Sequence, residues 1–463
     1  MAGLGQIDWA LVALYTAAVL ALGQRARRSS ADPATEYLLA GRGLRLPAFV
    51  GSLVATWYGG LLGIGEIAYR DGVVTWLTQG GFWYLAYLIF ALLLAGRVRR
   101  SEQTTLPDMV GRLHGESARR IATVLNYFNV VPIAYLLSFG VLVEVASGWP
   151  LWVGVLLGAL VATVYSLVGG FRAVVSTDLL QFFVMCTAIG ILLIAAVTQL
   201  GGQSYLEQRL PATHLEVTGA IGWQELVVWA TVAMSTLVDP NFYQRCYAAR
   251  DVSTARRGIL IAVGFWLLFD ICSVFSGLYA RATFTEIDPR LAYVHLAANV
   301  LPTGLRGYFF VGLLATTMST IDSYLFVAGM TYGHDLKRIW RASPTPERVV
   351  TATRWGIVVT AILASALALV FDGSIKAIWK TLGSLSGAAL LVPMILGYCG
   401  LRQRGAGAAS MLAGSLATLA WTFGRAQKWA LCLRVEALLI GAGAALVAFL
   451  IAALCGRQTA DAR

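Results

Sequence analysis

Thirteen long apolar runs, separated by short polar loops rich in arginine, set the pattern of the chain. Their approximate limits are 7–23, 47–69, 74–95, 117–146, 150–168, 174–199, 223–244, 254–281, 303–331, 351–371, 374–399, 405–424 and 432–455. A bilayer core takes roughly 20 residues of α-helix to cross, so each run predicts one membrane-spanning helix. The longest connections, about 24–46, 97–116, 200–222 and 332–350, are too short for a folded soluble domain, and residues 1–463 read as a single transmembrane domain. One connection carries structure of its own: 102–113 reads as a short interfacial helix with Thr105 at its N-cap.

Composition removes the soluble alternatives. Of the 463 residues 58% are hydrophobic and 13% charged, and mean hydropathy is +0.71. The charged share is about half that of a soluble domain, which excludes a water-soluble enzyme and a disordered or fibrous chain. Cys186, Cys246, Cys272, Cys399, Cys432 and Cys455 lie in or near apolar runs and form no CxxC, and the four histidines form no HExxH. Neither a zinc site nor a disulfide framework is expected.

The formal charge of +11 invites a nucleic-acid partner, but the positions of the charges point to a bilayer. With the N-terminus outside and the C-terminus inside, 25 of the 35 Lys and Arg residues fall in cytoplasmic loops, Arg25, Arg27, Arg28, Arg97, Arg99 and Arg100 among them. Positive-inside bias sets that orientation, with a small further role at anionic head groups. No basic residue precedes the first run and a basic cluster follows it, so it reads as a span and not as a signal peptide. Arg far outnumbering Lys fits a GC-rich bacterial genome, hence a multi-pass protein of a bacterial inner membrane.

Ionisable and polar groups inside spans are costly and mark function by default. The second run reads Ser52-Leu-Val-Ala55-Thr56-Trp57-Tyr58-Gly59-Gly60-Leu-Leu-Gly63-Ile-Gly65. Each glycine weakens a helix by about 1 kcal/mol relative to alanine. The stretch either unwinds and turns carbonyls toward a cavity or packs closely through Gly59 and Gly63. The seventh run ends Ser235-Thr236-Leu-Val-Asp239-Pro240-Asn241-Phe-Tyr-Gln244-Arg245, where Pro240 removes a helix hydrogen bond and makes either a functional break or an ordinary kink. In the sixth run, Ser176-Thr177-Asp178-Leu-Leu-Gln181 places Asp178 roughly 6 Å inside the boundary at about 1.5 Å per residue, as a buried carboxylate or as a helix N-cap.

The ninth run carries Thr316-Thr317-Met318-Ser319-Thr320-Ile321-Asp322-Ser323, with Ser319, Asp322 and Ser323 on one face. Hydroxyls, carbonyls and a carboxylate are the hard oxygen ligands of a small cation. The hydroxyls alternatively bond back to their own helix, which leaves Asp322 unexplained. Asp270 lies mid-span in the eighth run with no partner nameable from sequence, and Glu66 and Glu144 read as interfacial.

The second and seventh runs are five apart and both look breakable. Interrupted helices at corresponding places in two halves are the sequence mark of a transporter built from inverted repeats. The expected fold is all-α: an extra N-terminal helix at 7–23, a first repeat at 47–199, a second at 223–399 and two C-terminal helices at 405–455.

Four stretches resemble the sodium:solute symporter family, which has the LeuT-type fold with a 5+5 inverted-repeat core. They are Thr105-Leu-Pro-Asp; Gly169-Gly170-Phe-Arg-Ala-Val-Val-Ser-Thr177-Asp178-Leu-Leu-Gln181; Asp239-Pro-Asn-Phe-Tyr-Gln244-Arg245-Cys-Tyr-Ala-Ala; and Met318-Ser319-Thr320-Ile-Asp322-Ser323. The resemblance implies sodium-coupled uptake of a small organic solute by alternating access, with sodium as coupling ion and no organic cofactor. Carried over by position, the sodium ligands are the carbonyls of Ala55, Tyr58 and Thr316 and the hydroxyls of Ser319 and Thr320. A second sodium site, which some members have, falls on Asp178 with Ser319, Asp322 and Ser323. Solute is expected among Thr56, Trp57, Gly59, Gly60, Ser235 and Asp239. Trp57 stands where proline transporters of the family have a carboxylate, Asp239 where they have an amide, and the sugar contacts of other members fall on Val232 and Ser235. Rival readings are proton coupling through Asp178, Asp270 or Asp322, and a membrane sensor that binds solute without moving it. A membrane enzyme would need convergent His, Cys or acid pairs, which the sequence does not offer.

Overall fold

A computed structural model describes residues 4–26, 31–219, 221–340, 345–370, 383–385 and 387–461. Among them the chain is helical, with a single parallel bridge between Leu44 and Ala249 in place of any sheet. The elements that position the site are α1 (Gln6–Arg25), α2 (Leu46–Trp57), α3 (Leu61–Asp71), α4 (Val74–Arg100), α5 (Glu116–Ser147), α6 (Leu151–Leu200), α7 (Trp223–Met234), α8 (Pro240–Ala248), α9 (Val252–Thr283), α10 (Leu305–Ile339), α11 (Pro346–Val370), α12 (Val392–Tyr398), α13 (Ala406–Ala426) and α14 (Ala437–Asp461).

Nine of the described helices are long and apolar enough to span a membrane, ten if the bent pair α2–α3 counts as one span. The sequence predicts thirteen, and the difference has local causes. The fifth and sixth runs follow each other without a loop inside α6, whose 50 residues hold two helices meeting at Gly170, where the φ of 61° lies in the left-handed region. A Cβ there would also sit 2.5 Å from the Tyr37 carbonyl oxygen. The seventh run is divided into pieces too short to count, and part of the eleventh, residues 374–382 and 386, lies outside the described residues. The short helix after α4 forms as Leu106–His114, with the Thr105 hydroxyl accepting from the Asp108 amide at 3.2 Å.

Both expected breaks are present. α2 and α3 meet at 55° across residues 58–60, and Gly60 stands at the N-cap of α3. α7 gives way to a tight turn over Ser235–Val238 and an extended Asp239 (φ −75°, ψ 120°), after which Pro240 starts α8 in the first-turn position that proline tolerates. The turn before α2 is laced to the end of α8, since the Leu44 amide donates to the Ala248 carbonyl at 3.0 Å and the Arg250 amide to the Leu44 carbonyl at 2.9 Å. The two broken elements are thereby tied at one end.

α10 is the axis of the bundle. Its apolar window is 94% buried, against 39% for α6 beside it. Its first turn is held by Asp8 of α1, whose Oδ1 accepts from the Gly304 and Gly307 amides at 2.8 and 2.9 Å. A carboxylate on the free amides of a helix start is favourable charge placement. Glu66, expected at an interface, is buried on α3 and reaches Arg70 one turn on at 3.4 Å.

Candidate functional site

The break after Trp57 takes the carbonyls of Ala55 and Thr56 out of the helical ladder, and α10 supplies their partners. Ser319 Oγ donates to the Ala55 carbonyl at 2.9 Å and lies 3.0 Å from the Thr316 carbonyl. Thr320 Oγ1 donates to the Thr56 carbonyl at 2.8 Å and lies 3.3 Å from that of Thr316. The nest is made of five hydroxyl and carbonyl oxygens, from Ala55, Thr56, Thr316, Ser319 and Thr320, and all five residues are buried. Four of the five expected sodium ligands therefore converge: Ala55, Thr316, Ser319 and Thr320. The Tyr58 carbonyl instead accepts from the Leu61 amide at 2.9 Å, closing the turn into α3. The Thr56 carbonyl was not foreseen. Thr316 and Thr317 do bond back to their own helix, at 2.6 and 2.9 Å, as hydroxyls in apolar helices do.

A second polar cluster adjoins the first and is charged. Asp178 lies inside α6, not at a cap, and is fully buried. Its Oδ2 accepts from Ser52 Oγ at 2.6 Å and from Arg245 Nη2 at 3.2 Å. Arg245, also fully buried, donates further to Ser323 Oγ at 2.9 Å, Ser52 Oγ at 3.1 Å and Thr56 Oγ1. Asp322 Oδ2 accepts from Tyr165 and, at 3.5 Å, from Thr177. Asp178 Oδ1 and Asp322 Oδ1 are buried with no hydrogen-bond partner. Arg245 thus pairs with Asp178 and not with Asp239, its neighbour in the chain, while Asp322 accepts from hydroxyls.

On the other side of the same breaks lies a cavity of about 170 Å³, lined by Trp57, Tyr58, Gln79, Trp83, Trp229 and Tyr324, with Ser235, Asp239 and Val232 from the α7–α8 element. Of the expected solute residues, Trp57, Ser235 and Asp239 line it. Thr56 faces the Arg245 cluster, and Gly59 packs on Thr320, where a Cβ would come within 2.3 Å of its hydroxyl. Asp239 caps α8, its Oδ1 accepting from the Asn241 and Phe242 amides at 2.8 and 3.3 Å. Asp270 gains partners the sequence could not name: Tyr58 Oη donates to its Oδ1 at 2.8 Å and Tyr84 Oη to its Oδ2. This carboxylate fixes Tyr58 at the hinge between α2 and α3. Gln79, Trp83 and Trp229 were missed; a glutamine inside an apolar run was the one signal available.

Two interrupted helices, with oxygen atoms on one flank and a partly open cavity on the other, are the arrangement of a membrane transporter built on inverted repeats. The chain belongs to the sodium:solute symporter family, whose profile matches residues 37–414. It is 25% identical over 437 residues to the osmoregulated proline transporter OpuE of Bacillus subtilis (strain 168), covering 88% of this chain and 87% of that one. It is 26% identical over 412 residues to the sodium/pantothenate symporter of Escherichia coli (strain K12), covering 83% and 84%. Among solved structures, a Na⁺-coupled sialic acid symporter superposes with a TM-score of 0.81 at 18% identity, covering 97% of this chain and 98% of that one. Mhp1 in an inward-facing conformation gives 0.54 at 13% identity, covering 89% and 91%. These likenesses show the LeuT-type fold. The protein is a multi-pass membrane transporter and not an enzyme.

Proposed function

We propose that the protein is a sodium-coupled symporter that imports a small organic solute by alternating access, with its N-terminus outside and its C-terminus in the cytoplasm. The observation that carries the reading is the oxygen nest of Ala55, Thr56, Thr316, Ser319 and Thr320 at the α2 break. Sodium bound there ties α2 to α10 and orders residues 56–60. Solute then occupies the cavity between the broken helices. Closure on the outer side and opening on the inner side release both. Each positive charge carried inward gains about 2.3 kcal/mol per 100 mV of membrane potential, and linkage requires sodium and solute to favour each other's binding equally.

A second cation is supported at Asp178 and Asp322. Two buried carboxylates against one arginine leave a net negative charge, and their two unpartnered oxygens are suited to a cation. Sodium satisfies them, with Ser323 and Ser319 close by on α10. A proton satisfies them too, which is why proton coupling is the second reading; Asp270 fits it less well, since both its oxygens already accept from tyrosines.

Proteoliposomes separate the two. An inward sodium gradient is expected to drive accumulation of solute, and removal of sodium at constant pH to abolish it. Uptake that persists without sodium and collapses with the pH gradient would establish proton coupling instead.

A further inference from the structure

We propose that the solute is an organic ammonium ion, held by its charge at Asp239 and by its alkyl groups against the aromatic walls of the cavity. This deepens the symport reading and rests on it.

Charge decides first. Of the described residues lining the cavity, Asp239 is the one with a formal charge, and no described Lys, Arg or His lines it. Arg245, six residues on in the same element, is fully buried and spends its donors on Asn241, Ser52, Thr56, Asp178 and Ser323. Asp239 forms no ion pair among the described residues. Its Oδ1 is used by the cap of α8, while Oδ2 has only Tyr324 Oη, at a long 3.5 Å. One carboxylate oxygen therefore faces the cavity nearly unpaired. A carboxylate solute would meet a like charge there, and a neutral polyol, although it would find Gln79, Asn129 and Ser235, would leave the charge of Asp239 uncompensated. A cation repays the desolvation of Asp239 directly.

The walls decide the rest. Trp57, Tyr58, Trp83, Tyr135, Trp229 and Tyr324 line the same space. Electron-rich ring faces attract cations, most of all alkylated ammonium groups that shed water easily. The rings are also fixed in place before a solute arrives. Trp57 packs edge-on to Tyr87 and Phe242, with centroids 5.6 and 5.3 Å away. Trp83 and Trp229 lie 6.2 Å apart, and Tyr135 and Tyr324 lie 5.1 Å apart. Tyr58 is held through its hydroxyl by Asp270. An aromatic enclosure with one carboxylate at its edge is a site for a methylated ammonium compound.

The test uses the purified full-length protein and a matched pair of probes. Choline and 3,3-dimethyl-1-butanol share one shape and differ in charge, since carbon replaces the quaternary nitrogen. Putrescine, glucose and propionate extend the panel. With sodium present, one or more of the ammonium compounds is expected to raise the melting temperature and quench tryptophan fluorescence, and the neutral isostere to do neither. Asp239→Asn keeps the helix cap, since asparagine caps as well as aspartate. It is expected to weaken ammonium binding about tenfold or more, because a quaternary nitrogen has no N–H to bond the amide and loses the Coulomb attraction of the carboxylate. Melting of the variant without solute checks that it is folded. Equal binding of the neutral isostere, preference for glucose or propionate, no response to any ammonium compound, or unchanged affinity in folded Asp239→Asn would each overturn the proposal. Transport is scored separately: ammonium binding without sodium-driven uptake refutes the symport reading alone, and sodium-driven uptake of another class of solute refutes the ammonium assignment alone.

Discussion

Gly59→Ala is expected to raise the sodium concentration for half-maximal uptake about 10- to 100-fold. The methyl carbon would lie 2.3 Å from Thr320 Oγ1 and 2.4 Å from Thr320 Cβ. Thr320 Cβ is fixed to the backbone of α10, the most buried helix of the bundle, so no side-chain rotation relieves the contact. Overpacking costs about 1–3 kcal/mol, and about 1.4 kcal/mol is tenfold in affinity. The cost falls on the arrangement in which α2 and α10 share oxygens, which is the one proposed to hold sodium. Gly190→Ala is the control, because nothing lies within 4 Å of a Cβ there, and it is expected to behave as the native chain. Sodium-titrated uptake at matched protein levels makes the comparison. Identical sodium dependence in Gly59→Ala would mean that the two helices need not approach there.

Arg245→Leu is expected to lower stability by about 3–5 kcal/mol, the usual cost of stripping one partner from a buried ion pair. Asp178 would keep its charge with Ser52 as its remaining donor, next to a second carboxylate at Asp322. Asp178→Asn added to Arg245→Leu returns the cluster to its original net charge and is expected to recover most of the loss. Neighbouring groups of this kind are strongly non-additive. Thermal unfolding in detergent reads the cycle. Additive losses would show that the arginine and the carboxylate act independently.

Legibility of the sequence followed the range of the cause. The two breaks were readable because glycine and proline act on their own backbone: Gly59, Gly60 and Pro240 interrupt helices wherever they fall. The hydroxyl face of α10 was readable because helical periodicity alone puts Ser319, Asp322 and Ser323 together. Thr105 capped as its pattern implied. Pairings between distant segments were not readable. Arg245 has its partner, Asp178, on a helix in the other half of the chain, and nothing local to either residue signals it. Asp270 found Tyr58 and Tyr84 in the same way, since tyrosines are common near membrane surfaces and carry no mark of such a role. Trp83 and Trp229 looked like ordinary span residues until the fold turned them toward one cavity. The fifth and sixth runs were separable because Gly170 takes a non-helical conformation between them. Glu66 was a missed opportunity, since Arg70 one helical turn away already signalled a paired group.

Binding of radiolabelled sodium to the purified protein bears most directly on the oxygen nest. The native chain is expected to bind sodium saturably, and Ser319→Ala with Thr320→Ala to weaken that binding about tenfold or more while the protein still melts cooperatively. Native-like sodium binding in the folded double variant would contradict the assignment of these hydroxyls and the coupling mechanism built on them.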